Sequence, residues 1–355
     1  MHDKGRTFIA LDGLRGVAAL CVVFLHIFRF TGEWKLPTAY LAVDLFFVLS
    51  GFVLAHAYER AFRRGLSPGR FMVQRLIRLY PLYLIGTALG VLVVVLSIRF
   101  GSGGSALLWT WDRVWKALPY GLFMVPCPPG VEYTMFPFNT VMWSIFFELV
   151  VNLLWALTWR FLESMQILVI VVAIAGVGLI VAWNTWGVLN LGLTWASFIG
   201  GLARVLYSFP MGILLYRAYQ RWKLPALPSF LLLLALPLLF LIPRATPMEL
   251  MTALFILPGI VLLAAYSRPA GALAVVCSYL GEASYAIYAV HKKVYDLSYA
   301  AILKAFDIRA EALAPWITLP FIVGLIATCI LLSRVFDEPI RRGLSTAAFG
   351  ARRDR

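Results

Sequence analysis

Two ionisable residues, Arg15 and His26, sit inside an apolar run from Phe8 to Phe30, where hydrocarbon is the expected neighbour. Eleven residues at about 100° each return to nearly the same helix face, about 16 Å along the axis. A helix here presents a permanent cation and, further along, an imidazole that can take or give a proton near neutral pH. Ionisable groups at membrane depth face a cavity or a partner, so the pair marks a polar route. Asp44 opens the next apolar run and could orient His26 or cap its own helix, while Gly51 in the same run permits close packing.

Further along, Arg75 and Arg78 lie one helical turn apart, a spacing that lets two cations meet one phosphate-bearing ligand or anchor the following span at the inner surface. No GxxxxGK[ST] loop accompanies them, which excludes a P-loop nucleotide site. Ser144, Glu148 and Asn152 recur at four-residue intervals and share a face. Glu148, set within Phe-Phe-Glu-Leu-Val-Val, is costly against lipid and therefore points inward, either to pair with Arg15 or Arg204 or to tune a proton transfer. Ser284, Tyr288 and His291 align at i, i+4 and i+7, with Lys292 and Lys293 behind them; His291 is a second candidate base. Asp337 to Arg342 reads as a cytoplasmic helix stop, with contact to a donor site as the alternative.

The elements that carry these groups are membrane helices. Of 355 residues, 62% are apolar and 14% charged, against about 45–50% and 25% in soluble domains. The expected class is all-α, a polytopic membrane protein with about ten transmembrane helices. The spans fall near 8–29, 42–58, 80–98, 139–159, 165–182, 195–216, 227–242, 249–266, 278–295 and 315–333. The net charge of +14 sits in short loops, where it sets topology rather than binding nucleic acid. Lys4, Arg6, the cluster from Arg60 to Arg78, then Arg217, Arg221, Lys223, Arg334, Arg341 and Arg342 all fall on one side, which predicts both termini cytoplasmic.

Residues 1–342 read as one transmembrane unit and 343–355 as a basic cytoplasmic tail. The irregular stretch from Phe100 to Phe138 falls outside, its Trp109, Trp111, Trp115 and Tyr120 suiting either an interfacial segment or a lid over an acceptor site. Pro210, Pro237 and Pro258 mark expected kinks. Cys21, Cys127, Cys277 and Cys329 lack metal-ligand spacing, and no metal is expected. Arg15 interrupts what would otherwise be a signal-peptide core, so the N-terminal run reads as a genuine span.

Taken together, these pieces resemble acyltransferase family 3, the membrane-bound O-acyltransferases that include bacterial polysaccharide O-acetyltransferases. The matching stretches are Leu11-Asp-Gly-Leu-Arg-Gly16 with its Arg15-x10-His26 spacing, Val43-Asp-Leu-Phe-Phe-Val-Leu-Ser-Gly-Phe52, and Arg75-x-x-Arg78-x-Tyr-Pro81. They continue with Trp143-Ser-x-x-x-Glu148, Tyr279-Leu-Gly-Glu-Ala-Ser-Tyr285 leading to His291, and Glu338-Pro339. Two positions depart from the family's habit: Gly16 replaces a common alanine, and Asn152 stands where aromatics are frequent.

The resemblance implies transfer of an acyl group, commonly acetyl from acetyl-CoA or another acyl-CoA, onto a hydroxyl of an extracytoplasmic glycan or small hydroxylated acceptor. It carries over His26 and Arg15 as the principal motif, with Asp44 and Glu148 as accompanying carboxylates. Arg75, Arg78 and Tyr80 fall on the donor side, and Trp143, Ser144, Tyr288 and His291 on the substrate side. The expected setting is the bacterial cytoplasmic (inner) membrane, with membrane lipids around the protein and a homo-oligomer as an open arrangement. A transporter or flippase for a lipid-linked sugar, using the same groups as a proton or substrate path, is the alternative.

Overall fold

The computed structural model describes residues 8–100 and 109–350; Lys4, Arg6, the Gly101–Ser105 run and the end of the basic tail lie outside the described residues. Most of the described chain is helical. Its helices are α1 (Ile9–His26), α2 (Phe28–Thr31), α3 (Ala42–Arg63), α4 (Pro68–Phe100), α5 (Trp111–Leu122), α6 (Trp143–Leu162) and α7 (Met165–Trp186). Then follow α8 (Phe198–Arg221), α9 (Ser229–Leu239), α10 (Pro247–Met251), α11 (Leu257–Tyr266), α12 (Gly271–Phe306), α13 (Thr318–Leu332) and α14 (Glu338–Phe349). A π-helical segment, Thr252–Ile256, joins α10 to α11, and a second, Ser333–Asp337, joins α13 to α14.

Among the described residues, nine helical stretches are long and apolar enough to cross a membrane. The tenth expected span, 227–242, forms α9 over only 11 residues, about 16 Å of rise against about 30 Å of hydrocarbon. It nevertheless completes a crossing in the chain path, because α1 and α12 run parallel: Gly13 meets Cys277, Gly16 meets Leu280 and His26 meets His291, in rising order. Of the described ends, Phe8 packs against His56 and Tyr219, and Phe349 lies beneath Arg70.

Two close helix contacts place the functional residues. On α1, a Cβ added to Gly16 would overlap Leu280 of α12, so the absence of a side chain lets these two helices touch at backbone distance. On α3, a Cβ on Gly51 would overlap the Phe209 carbonyl of α8, and one on Gly212 the Val48 carbonyl in return.

The stretch after α4, expected as an interfacial segment or a lid, packs back onto the bundle. Helix α5 starts with Thr110 accepting from the Arg113 amide, a side-chain N-cap, and folds back along α4. Trp111 lies by Arg99, while the Gly121 and Leu122 carbonyls accept from Tyr83 (2.7 Å) and Tyr80 (2.6 Å). The chain then returns through Cys127, whose carbonyl accepts from Trp195 Nε1 at 2.7 Å, and a Thr134–Thr194 bridge, to Asn139. Asn139 donates to the Ala289 carbonyl at 2.7 Å, deep between helices. The returning limb thus packs between helices at Asn139, while Trp111 and Trp115 of α5 stay exposed.

Candidate active site

Helices α1, α3, α4, α6 and α12 enclose a cavity of about 810 Å³, measured with its open mouth. Its polar wall consists of Arg15, Ser50, Arg75, Arg78, Ser144, Glu148, Ser284, Tyr285 and Tyr288, set among apolar side chains such as Val43, Phe46 and Leu79. The i, i+4 spacing of Ser144 and Glu148 and of Ser284 and Tyr288 brings all four onto this one surface, as helical periodicity demands.

Each arginine of the wall holds a carboxylate. Arg15 Nη2 donates to Asp12 at 2.7 Å and its Nε to Ser284 Oγ at 3.0 Å, tying α1 to α12. Arg75 Nη2 donates to Glu148 Oε1 at 2.7 Å, and Ser50 donates to the same oxygen at 2.8 Å. Glu148 thus pairs with Arg75, not with the expected Arg15 or Arg204, because α4 rather than α1 or α8 supplies the cation at its level. Arg78 Nη1 reaches Asp337 Oδ2 at 3.4 Å in the π-helical turn, where Arg341 also approaches at 3.2 Å.

The two donor-side arginines are unequal. Arg75 is 11% exposed and Arg78 is 39%, so the expected pair splits into a buried guanidinium and an open one. Arg75 Nε is buried without a hydrogen-bond partner on the cavity wall. Tyr80 is a correction: it does not line the cavity but stacks on Tyr83 and donates to Leu122. Two residues beyond Arg78 is about 200° around the helix, the opposite face.

One end of the cavity is closed by Ser144 and Tyr288, whose hydroxyls lie 2.6 Å apart with Phe46 edge-on to the tyrosine ring. Tyr288 and Ser144 both also reach the Val141 carbonyl, at 3.1 and 3.2 Å. Beyond this closure lies the histidine pair. His291, fully buried, is three residues past Tyr288 on α12, and its Nε2 stands 3.0 Å from Nδ1 of the half-buried His26. Lys292 donates to Thr140 Oγ1 at 2.7 Å beside them. Arg15 and His26 therefore do share one helix face, but only Arg15 opens onto the cavity.

Asp44 and Trp143 stand apart from this site. Arg204 of α8, fully buried, donates to both Asp44 oxygens at 3.1 and 2.7 Å and to the carbonyls of Leu191 and Tyr40, each at 2.9 Å. The Trp143 ring covers the same guanidinium at 5.2 Å. Asp44 therefore does not orient His26, and Trp143 does not face the cavity; both complete a bidentate structural ion pair. Asn152, one turn beyond Glu148, is fully buried and both its amide atoms lack a hydrogen-bond partner.

Sequence reasoning missed Arg204 as the holder of Asp44, Ser50 as a ligand of Glu148, and Asp12 as the partner of Arg15. Only the last carried a signal, since i, i+3 neighbours on a helix touch. The meeting of His26 with His291 had none: the residues are 265 apart in the chain.

An all-α bundle with an arginine-lined cavity, closed short of an imidazole pair, defines a polytopic membrane protein built around an internal polar site. Residues 8–334 match the family profile described as an acyltransferase domain, the third of the acyltransferase families, and the chain belongs to that family. It is 28% identical over 315 residues to acyltransferase MdmB of Streptomyces mycarofaciens, covering 79% of this chain and 77% of the relative. It is also 40% identical over 185 residues to protein 2 in the picA locus of Rhizobium radiobacter, covering 49% of this chain and 94% of that protein. No solved structure matches. The protein is thus a multi-pass membrane acyltransferase.

Proposed function

We propose that the protein transfers an acyl group, acetyl in the first instance, from an acyl-CoA on the cytoplasmic side to a hydroxyl of an extracytoplasmic carbohydrate or small hydroxylated acceptor. The observation that carries this is the cavity whose wall bears Arg15, Arg75 and Arg78 and whose closed end lies against His26 and His291. With the basic loops inside, the arginine end faces the cytoplasm and the imidazole end faces out, in the bacterial inner membrane.

The cavity wall suits a phosphorylated thioester. Each guanidinium has five N–H donors, so the pairs with Asp12, Glu148 and Asp337 leave donors over. The partnerless Nε of Arg75 and the open fork of Arg78 are available to phosphate oxygens. The helical rise of about 16 Å from Arg15 to His26 is of the length of a pantetheine arm, so CoA need not cross the membrane. The acyl end would then meet the Ser144–Tyr288 closure, which must part for transfer.

At His26 the acceptor oxygen bonds to the thioester carbonyl carbon while its proton passes to the imidazole. The C–S bond breaks and the CoA thiolate takes that proton. A transient acyl-imidazole is the two-step version of the same exchange. The test is His26→Ala in membranes: CoA-dependent acylation of surface glycans, read by mass spectrometry, should vanish while the protein still inserts and purifies as a monodisperse species. Acylation that persists overturns the role of His26; an absence of any added mass in the parent strain overturns the acceptor class.

A further inference from the structure

We propose that His291 is a positioning residue that locks His26 into one tautomer, leaving Nε2 of His26 as the atom that takes the acceptor proton. The inference rests on the role of His26 proposed above and adds which atom works and what holds it.

The argument is one of donors and acceptors. His291 Nδ1 lies 2.9 Å from the Ile287 carbonyl and 3.0 Å from the Tyr288 carbonyl. Carbonyl oxygens only accept, so Nδ1 of His291 carries the hydrogen, and in the neutral ring Nε2 is then an acceptor. That Nε2 faces His26 Nδ1 at 3.0 Å, and His26 Nδ1 also lies 3.0 Å from the Val22 carbonyl. Two acceptors converge on one nitrogen, so His26 Nδ1 must donate. The lone pair of His26 is left on Nε2, with no protein partner assigned to it among the described hydrogen bonds.

Every other neutral assignment fails. A hydrogen on Nε2 of His291 would either face the one on His26 Nδ1 or leave that nitrogen to confront the Val22 carbonyl lone pair to lone pair. Adding a proton to the pair has the same single solution: at His26 Nε2, where it meets no opposing hydrogen. The resulting imidazolium then donates from Nδ1 to Val22 and His291. Among the described residues no carboxylate is hydrogen-bonded to either ring: Tyr288 has its ring 6.2 Å from His291, Lys292 is bonded to Thr140, and Asp296 is paired with Lys293 at 3.1 Å.

Residue 291 therefore needs an acceptor at the position of Nε2, not an imidazole as such. Glutamine can place its side-chain oxygen there; leucine cannot. Loss of an outer partner that orients a ligand imidazole costs about 10–100-fold in metal-site activity, and a fully wrong tautomer costs a serine protease about 10⁴-fold. Because Val22 still holds one side of Nδ1, the smaller range applies to His291→Leu.

The experiment is a histidine-selective ¹⁵N NMR spectrum of the full-length protein in detergent micelles or bilayers, with the His26 signals assigned by their loss in His26→Gln. Wild type should show pyrrole-type Nδ1 and pyridine-type Nε2 for His26. His291→Leu should mix the tautomers and lower kcat about 10–100-fold with the KM for acyl-CoA unchanged. His291→Gln should restore the tautomer and bring kcat back to within a few-fold. A protonated Nε2 on neutral wild-type His26, or an unchanged tautomer and kcat in His291→Leu, overturns the inference. If His291→Leu does not fold, the wild-type spectrum and His291→Gln still decide it. Because the spectrum needs no turnover, a protein that proves to transfer nothing would leave this measurement standing while overturning the proposed function.

Discussion

Removing the carboxylate of Asp44 should unfold this protein rather than disable its chemistry. Arg204 and Asp44 are both 0% exposed and joined by two hydrogen bonds of 2.7 and 3.1 Å. Asp44→Ala leaves a buried guanidinium with two neutral carbonyls, Leu191 and Tyr40, and no counter-charge. Breaking a buried pair from one side costs about 3–5 kcal/mol, a shift of about two to three and a half powers of ten in the folding equilibrium. Asp44→Asn keeps one acceptor oxygen and should lose less. The double variant Asp44→Leu with Arg204→Met removes both charges, and should recover most of the loss but not all, since two carbonyls lose their donor.

The assay is the apparent melting temperature and monodisperse yield in detergent, measured on all three variants beside in-membrane acylation. The expected order of stability is wild type, then the double variant, then Asp44→Asn, then Asp44→Ala. An Asp44→Ala protein as stable as wild type yet inactive would refute the structural assignment and return Asp44 to the chemistry.

Other outcomes follow from the same geometry. Arg78→Ala should raise the KM for acyl-CoA about tenfold or more with little change in stability, since an open charge-assisted contact is lost. Arg75→Ala should also destabilise the protein, because Glu148 is left buried; equal melting temperatures for the two would contradict the difference in their burial. Tyr288→Phe removes the bond to Ser144 and should loosen the closure, read as faster acceptor-independent hydrolysis of acyl-CoA; unchanged hydrolysis would mean the ring alone makes the seal. Gly51→Ala should cost about 1–3 kcal/mol or more by forcing α3 from α8, and should lower activity through the neighbouring Ser50–Glu148 bond.

Much of the site was legible in the pattern of single helices. Apolar runs gave the spanning class, and the spacings of Ser144 with Glu148, of Ser284 with Tyr288, and of Arg75 with Arg78 gave the faces that line the cavity. What the pattern could not supply was the partner across a helix interface. Asp44 follows the first span closely enough to suggest His26, yet a short connection fixes which helices are neighbours and not which side chains meet; the cation came from Arg204, 160 residues on. Tyr80 and Trp143 belong to stretches that carry the family resemblance, but they lie one or two residues from Arg78 and Ser144, which turns a helical side chain by about 100° or 200° away from the cavity. The packing of Trp111–Leu122 along α4 leaves no mark in its own sequence, because Tyr80 and Tyr83 of another helix hold its end.

The Ser144–Tyr288 closure also bears on the cell's electrical economy. A membrane that stores energy as a voltage loses it through any continuous file of water or titratable groups, and each elementary charge that leaks dissipates about 2.3 kcal/mol per 100 mV. Arginines on one side and imidazoles on the other are good material for such a leak if joined. Here the Ser144–Tyr288 hydroxyl pair, with a phenyl ring and the Val141 carbonyl against it, lines the cavity, Tyr288 three residues before His291 on α12. On the proposed reaction, this hydroxyl pair would have to admit a neutral acyl fragment and still refuse a proton.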